Sequence, residues 1–488
     1  MLIHAPSLII PKSKKVITKN WSKRASRNGY ALAHANDTEA FNVKLWAREA
    51  VAILTDNLIL ANLVHRDFSP MIQEFGDTVN TRKPAEFVAV RKTNDDNVTV
   101  QNATATNIPV KLNQLVHVSY LIRDGQESTS FESLVQSFLL PAMIAEADFI
   151  DTVLATQVYQ FINNSGGRLN QMDETTGKRY ILDTRKVMND NKAYMDNRNL
   201  VVGSAAETTL LDIDNFTDAN RVGDNGTALS RAILGSKFGF DIRMDQNMPF
   251  VNTLSTVVQG AINHSGGYGA GTTSLTVDGL SAAITAGTWF TVVGDDTPLQ
   301  VASTTGGATP TVIVSTYPLK RAVADNAVIT LCPTSTTTAA YTYDATTNTG
   351  YSGDIAINAF SGNTPQVGQL VTFGSSTITY GIVKVNSTTS ITLDRPIEAN
   401  IASGATVNLG PAGGFNWAFH RNALTMVSRP LARPREGTGA MSEVVNFNNM
   451  SIRVVMTYDG NAQGTLVTID ILFGIKKLDS NLGAMMLS

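Results

Sequence analysis

Apolar positions recur along this chain with a period that changes several times, and each change marks an element. Across residues 38–65, Phe41, Leu45, Ala52, Ile59 and Leu63 form one stripe at helical spacing, with Pro70 just beyond it. That stripe predicts a helix. From residue 84 the pattern is different. Phe87, Val88 and Val90 lead into a polar, Asn- and Thr-rich stretch over 93–106. Val110, Leu112, Leu115, Val116, Val118, Tyr120 and Ile122 then return as a strand. Two strands around a polar tip predict a long β-hairpin over 84–123. A hairpin of that length has too little core of its own and is expected to lie on something else.

Residues 131–163 read as the longest helix. Pro141 lacks the N–H that a helix interior needs, so it is expected in the first turn of a helix reaching Ile162. Such a rod would be roughly 30 Å long, with Ala142, Ala145, Phe149, Val153 and Thr156 on its inner face. A shorter helix is predicted over 184–195, a buried strand over 200–202, a helix over 205–211 and a strand over 238–244.

Near residue 255 the composition breaks. Residues 255–414 carry twelve charges, four basic and eight acidic, among many Thr, Ser and Gly. Within this block a pattern repeats after about 80 residues. Leu275-Thr276-Val277 matches Ile355-Ala356-Ile357, and Ala286-Gly287-Thr288-Trp289-Phe290 matches Val367-Gly368-Gln369-Leu370-Val371. Val312–Val314 matches 391–393, and 327–331 matches 405–409, with Pro333 and Pro411 closing the units. Two small β-barrels or sandwiches are predicted, over about 272–333 and 353–411, with Trp289–Phe290 and Leu370–Val371 in their cores. Glycine-rich junctions flank the block, so it is expected to fold as a self-contained module. Mixed pattern resumes at Phe415, and residues 444–447, 452–458 and 466–473 read as strands with a turn at Asp459-Gly460.

Charge refines the picture at the N-terminus. Lys12, Lys14, Lys15, Lys19, Lys23, Arg24 and Arg27 stand in a segment with no acidic residue before Asp37, broken by Pro6, Pro11 and Gly29. This reads as an extended basic arm that is either solvated or ordered against an acidic neighbour or DNA. Elsewhere the balance is even: 38 basic against 41 acidic residues, a formal net charge of -3. That does not suit a dedicated nucleic-acid binder. Only 16% of residues are charged, a composition that fits a surface covered by other subunits. No stretch has the apolar length of a membrane span, and the N-terminus is not ordered as a secretory signal.

Candidate chemistry is sparse. Cys332 is the single cysteine, so a thiolate metal site and an intrachain disulfide are both excluded. His4, His34, His65, His117, His264 and His420 show no ligand spacing. Asp212 and Asp214 begin a calcium-loop pattern that fails at Phe216. No HExxH, CxxC, GxSxG or phosphate-loop pattern occurs. The expectation is a structural protein without catalytic residues, metal or cofactor.

Several short segments carry a family resemblance. Pro141-Ala142 with Ala147, Ile150-Asp151 and Leu154 resembles the spine helix of the coat proteins of short-tailed phages that carry an inserted domain. Leu200–Glu207 resembles their strand-then-helix segment. Residues 232–247 resemble the segment before the insertion, and 415–423 with Arg429-Pro430 the return strand. The chain departs from that pattern in having two β-units where one is usual.

The resemblance implies an α+β chain of the Hong Kong-type phage capsid fold. In that reading, residues 1–80 are the N-terminal arm and helix, 81–130 the extended loop, and 131–198 with 440–488 the peripheral domain. Residues 199–254 and 415–439 form the axial domain, and 255–414 is the insertion, expected to face outward because its excess of four acidic charges would be repelled by packaged DNA. Phe87, Val90, Val110, Leu112, Val118 and Tyr120 would contact a neighbouring subunit. The chain would assemble with itself into hexamers and pentamers, in the host bacterial cytoplasm, to form the virion's icosahedral head. Other implied partners are a scaffolding protein, a portal, decoration proteins and non-specifically bound double-stranded DNA, with no membrane. A tail fibre would suit the Thr- and Gly-rich repeat but not the helices. An encapsulin-like shell shares the fold but usually lacks such an insertion.

Overall fold

The computed structural model describes residues 43–68, 77–83, 87, 89–92, 106–127, 134–217, 231–254, 259–280, 283–307, 309–345, 349–435 and 439–488. The basic arm, Phe41, Val88 and the polar tip 93–105 lie outside them.

The first helix, Val43–Asn57, forms where the sequence predicts one but turns a different face inward. Val43, Trp46, Ala47, Ala50, Val51 and Leu54 are buried, whereas Ala52 is exposed and Leu45 half-buried. The true stripe uses small alanines at spacings of three and four, which a reading weighted toward large residues passes over. The helix stops at Asn57. After it, the backbone N–H groups of Ile59 and Ala61 donate to the buried Asp151 carboxylate at 2.6 and 3.2 Å.

Asp151 sits on the spine helix, Leu140–Thr156, which packs on the first helix. Pro141 is in its first turn, as expected. A wide π-type stretch, Val135–Leu139, precedes it without a break, and a 3-10 segment, Gln157–Phe161, extends it. Wider i→i+5 spacing before a proline accommodates the missing donor. The inner face is Ala142, Met143, Glu146, Ala147 and Ile150; Ala145 is exposed and Phe149 half-buried. From Ile150 to Thr156 the helix is buried all round, because β-structure covers its far side.

Two sheets make the body. One has six strands and is built on the long strand Gly464–Lys477. Gln114–Arg123 pairs antiparallel with it from Gly464 to Phe473. On its other side lie Met450–Asp459 and Leu424–Arg429. Met441–Phe447 and His65–Phe68 complete the sheet. The second sheet is centred on the wholly buried strand Gly413–His420, flanked by Arg198–Val202 and the C-terminal strand Gly483–Leu487. Phe240–Met244 lies parallel beyond Arg198–Val202. The sheets therefore mix the expected peripheral and axial segments: 424–429 joins the first and 483–487 the second. The helix expected at 184–195 runs instead from Gly177 to Asp190.

Between Val251 and Gly413 come the two β-units. The first is a closed six-stranded barrel from Gln259–Ile262 to Val328–Leu331. The second runs from Thr334–Thr336 to Thr406–Leu409 with the same strand order, closed by a single bridge, Thr337 to Ile357. Each unit begins one strand earlier than the sequence repeat indicated. That extra segment carries an equivalent tyrosine. Tyr268 accepts from Thr276 N–H and Tyr341 from Ala356 N–H, at 2.9 and 2.5 Å. Phe290 and Val371 fill the two cores as expected. Trp289 and Leu370 belong to neither, because successive strand residues face opposite sides.

Candidate assembly surfaces

The hairpin exists but begins earlier than predicted: Thr78–Lys83 pairs antiparallel with Thr106–Lys111. The following strand, Gln114–Arg123, leaves the hairpin and enters the body sheet, which separates the six expected contact residues. Phe87 and Val90 are 64% and 58% exposed. Val110 and Leu112 are wholly buried with Val79, Val427 and Leu472, so their side chains belong to this subunit's own core. Val118 and Tyr120 are half-buried on the face toward the helices. The Tyr120 ring stacks on Phe138 at 5.9 Å, and burial pushes its phenol pKa up. Of the six, only Phe87 and Val90 are largely exposed. Lys12, Lys14, Lys15, Lys19, Lys23, Arg24 and Arg27 lie outside the described residues.

The sequence reading missed the junction where the β-units meet the spine. Asp394, on the second unit, is fully buried and accepts from Gln157 Nε2 and Arg395 Nη1, each at 2.8 Å. Burial pushes its carboxyl pKa up, against the attraction of Arg395. Gln114 Nε2 donates to the Asp394 carbonyl at 2.7 Å, so the strand after the hairpin is tied to the same point. Tyr159 donates its hydroxyl to the Gly368 carbonyl. A Cβ on Gly381 would collide with the Thr156 side chain, so glycine lets the barrel approach the helix. The first unit is also anchored to the body. Arg168 pairs with Asp296 at 2.5 Å, Arg321 Nη1 donates to Gly167 O at 2.9 Å and Lys320 Nζ to Asn163 O at 2.7 Å.

Beside this junction is a cleft of about 460 Å³, lined by Arg395, Glu398, Lys476, Lys477, Tyr159 and Tyr317 among others. Lys477 caps the end of the spine, donating to Gln160 O at 3.2 Å. Its pKa is lowered by burial and then by Lys476 and Arg395. Cys332 is buried, which raises its thiol pKa. Among the described residues no three His, Cys, Asp or Glu side chains are placed to hold a metal ion, and no helix is long and apolar enough to cross a membrane.

No family model and no curated protein matches the chain. Among solved structures it is similar to one from Mycobacterium phage Che8, 10% identical over 88% of this chain and 90% of that chain, with a TM-score of 0.37. A capsid structure of the cyanophage P-SCSP1u is 8% identical over 87% and 88%, TM-score 0.39. The mature capsid of bacteriophage PhiM1 is 9% identical over 88% and 86%, TM-score 0.38.

Proposed function

We propose that this chain is the major capsid protein of a tailed double-stranded DNA phage, with the Hong Kong-type capsid fold. The observation that carries the reading is the hairpin of Thr78–Lys83 and Thr106–Lys111, rooted in the subunit core by Val110 and Leu112 while Phe87 and Val90 stand exposed beyond it. Large apolar side chains left exposed are poorly placed in a lone subunit and well placed against a neighbour. The order of elements also supports it: arm, helix, hairpin, spine helix, then a sheet interrupted by an insertion.

In this reading the chain makes hexamers and pentamers that close an icosahedral head. The work is structural, not enzymatic. Scaffolding, portal and decoration proteins are its other partners, and the basic arm meets acidic neighbours or packaged DNA through salt-sensitive contacts. Assembly takes place in the host bacterial cytoplasm. Negative-stain microscopy of the chain expressed alone tests the reading: shells, capsomers or sheets are expected, and a slender trimer would replace it with a fibre.

A further inference from the structure

The two β-units are stacked head to tail. The head of the first is Gly287, Trp289, Gln300 and Thr316; that of the second is Gly368, Leu370, Gly381 and Asp394. Backbone hydrogen bonds fix the equivalence. Gly287 N–H donates to Val301 O and Gly368 N–H to Ile382 O, both at 2.7 Å. Thr316 N–H donates to Gln300 O at 2.7 Å and Asp394 N–H to Gly381 O at 2.9 Å.

Each head is occupied. The second sits on the spine, where the Tyr159 hydroxyl meets the Gly368 carbonyl. The first sits on the second unit, where the Thr372 hydroxyl meets the Gly287 carbonyl at 3.5 Å and accepts from Trp289 Nε1 at 3.1 Å. A hydroxyl thus meets the same glycine carbonyl in both seats.

The receiving face on the second unit is Thr372, Gly374, Thr406 and Asn408. Its counterpart on the first unit is Thr291, Val293, Val328 and Thr330. The two align because Gly374 N–H donates to Thr406 O at 2.7 Å and Val293 N–H to Val328 O at 2.9 Å. Each position is more exposed on the first unit: Thr372 and Asn408 are wholly buried where Thr291 and Thr330 are half-buried, and Gly374 and Thr406 are half-buried where Val293 and Val328 are 54% and 39% exposed. Glycine, threonine and asparagine on the covered face correspond to valine, valine and threonine on the open one. A solvent-facing copy of a covered face has no reason to lose polarity, so the open face carries the composition of a contact.

We propose that this open strand face of the first β-unit is the docking site for a β-domain on a different polypeptide, seated through a head of the same kind. The partner offers a glycine carbonyl to the Thr291 hydroxyl and lays an indole or large apolar side chain over Val293 and Val328. Both heads of this chain are used within it, so a second folded copy has none to offer. The adjoining turn is already held by the body through Arg168 and Leu169, which limits the site to the strand face. Head-to-tail contacts of this kind continue until something caps the series. The inference stands whether or not the chain builds a shell.

The probe is a fluorescently labelled, cyclised peptide of residues 285–302, which carries Gly287, Trp289 and Gln300, titrated with the full-length chain. Saturable binding is expected, weakened about tenfold or more by Val293→Asp with Val328→Asp in the chain and by Trp289→Ala in the peptide. Both substituted valines are exposed, so the variant chain should keep its melting temperature. No binding, or binding indifferent to any of these changes, overturns the site. Self-association of the chain that the same two aspartates abolish would give the face to another copy and overturn the assignment to a different polypeptide.

Discussion

On the inner face of the spine helix, Glu146 is fully buried and neither carboxyl oxygen has a hydrogen-bond partner among the described residues. Burial pushes its pKa well up, and Asp470 adds to the effect. The folded protein therefore keeps Glu146 protonated where the unfolded chain ionises it. The resulting penalty is absent below the unfolded pKa of about 4.3 and grows as pH rises toward the folded value. Asp151 behaves alike: burial lifts it to about 7 despite the backbone N–H groups it accepts. Glu146→Gln should thus raise the melting temperature more at pH 8 than at pH 4; equal shifts at both would show that the carboxyl is not held neutral. Gly381 is a steric counterpart. Gly381→Val would force the second unit off Thr156 and should cost about 2 kcal/mol by overpacking, read as a lowered denaturation midpoint.

The hairpin and the strand after it do separate jobs, although their residues look alike in the sequence. Leu112→Ala removes a wholly buried side chain and should destabilise the isolated subunit by about 3 kcal/mol. Phe87→Ser with Val90→Ser should leave the subunit's melting temperature unchanged and impair assembly, measured by sedimentation. Normal assembly of that double variant would remove the hairpin from the interface. Alternation showed that strands exist here but not where one ends, since apolar residues recur from Val110 to Ile122 with no glycine or proline between them. The break at Leu112–Asn113 is fixed by pairing with Gly464–Phe473, more than three hundred residues away. The spine helix was readable from Pro141 and its apolar run. The first helix was placed well but rotated, because its buried alanines gave little signal.

At the scale of the whole molecule, the β-repeat was legible because Gly-Xaa-Trp-Phe and Gly-Xaa-Leu-Val keep their spacing, yet its seat was not. Asp394, Gln157 and Gln114 are ordinary polar residues in sequence, and only folding brings them to one buried point. That point makes the insertion a brace, more tightly bound to the body than a self-contained module. Asp394→Ala leaves Arg395 short of a partner and should cost roughly 3 kcal/mol. It should also split the calorimetric unfolding of the chain into two transitions; two transitions in the unaltered protein would contradict the coupling. The insertion's entry and exit are themselves paired, Val251 with Gly413 and Phe250 with Gly414. This clasp is a splice point in evolutionary terms. Sequence gained, doubled or trimmed beyond it leaves the register of Gly413–His420 untouched, so a lineage can rebuild the insertion wherever the seats at Gln114, Gln157 and Arg168 are kept or replaced.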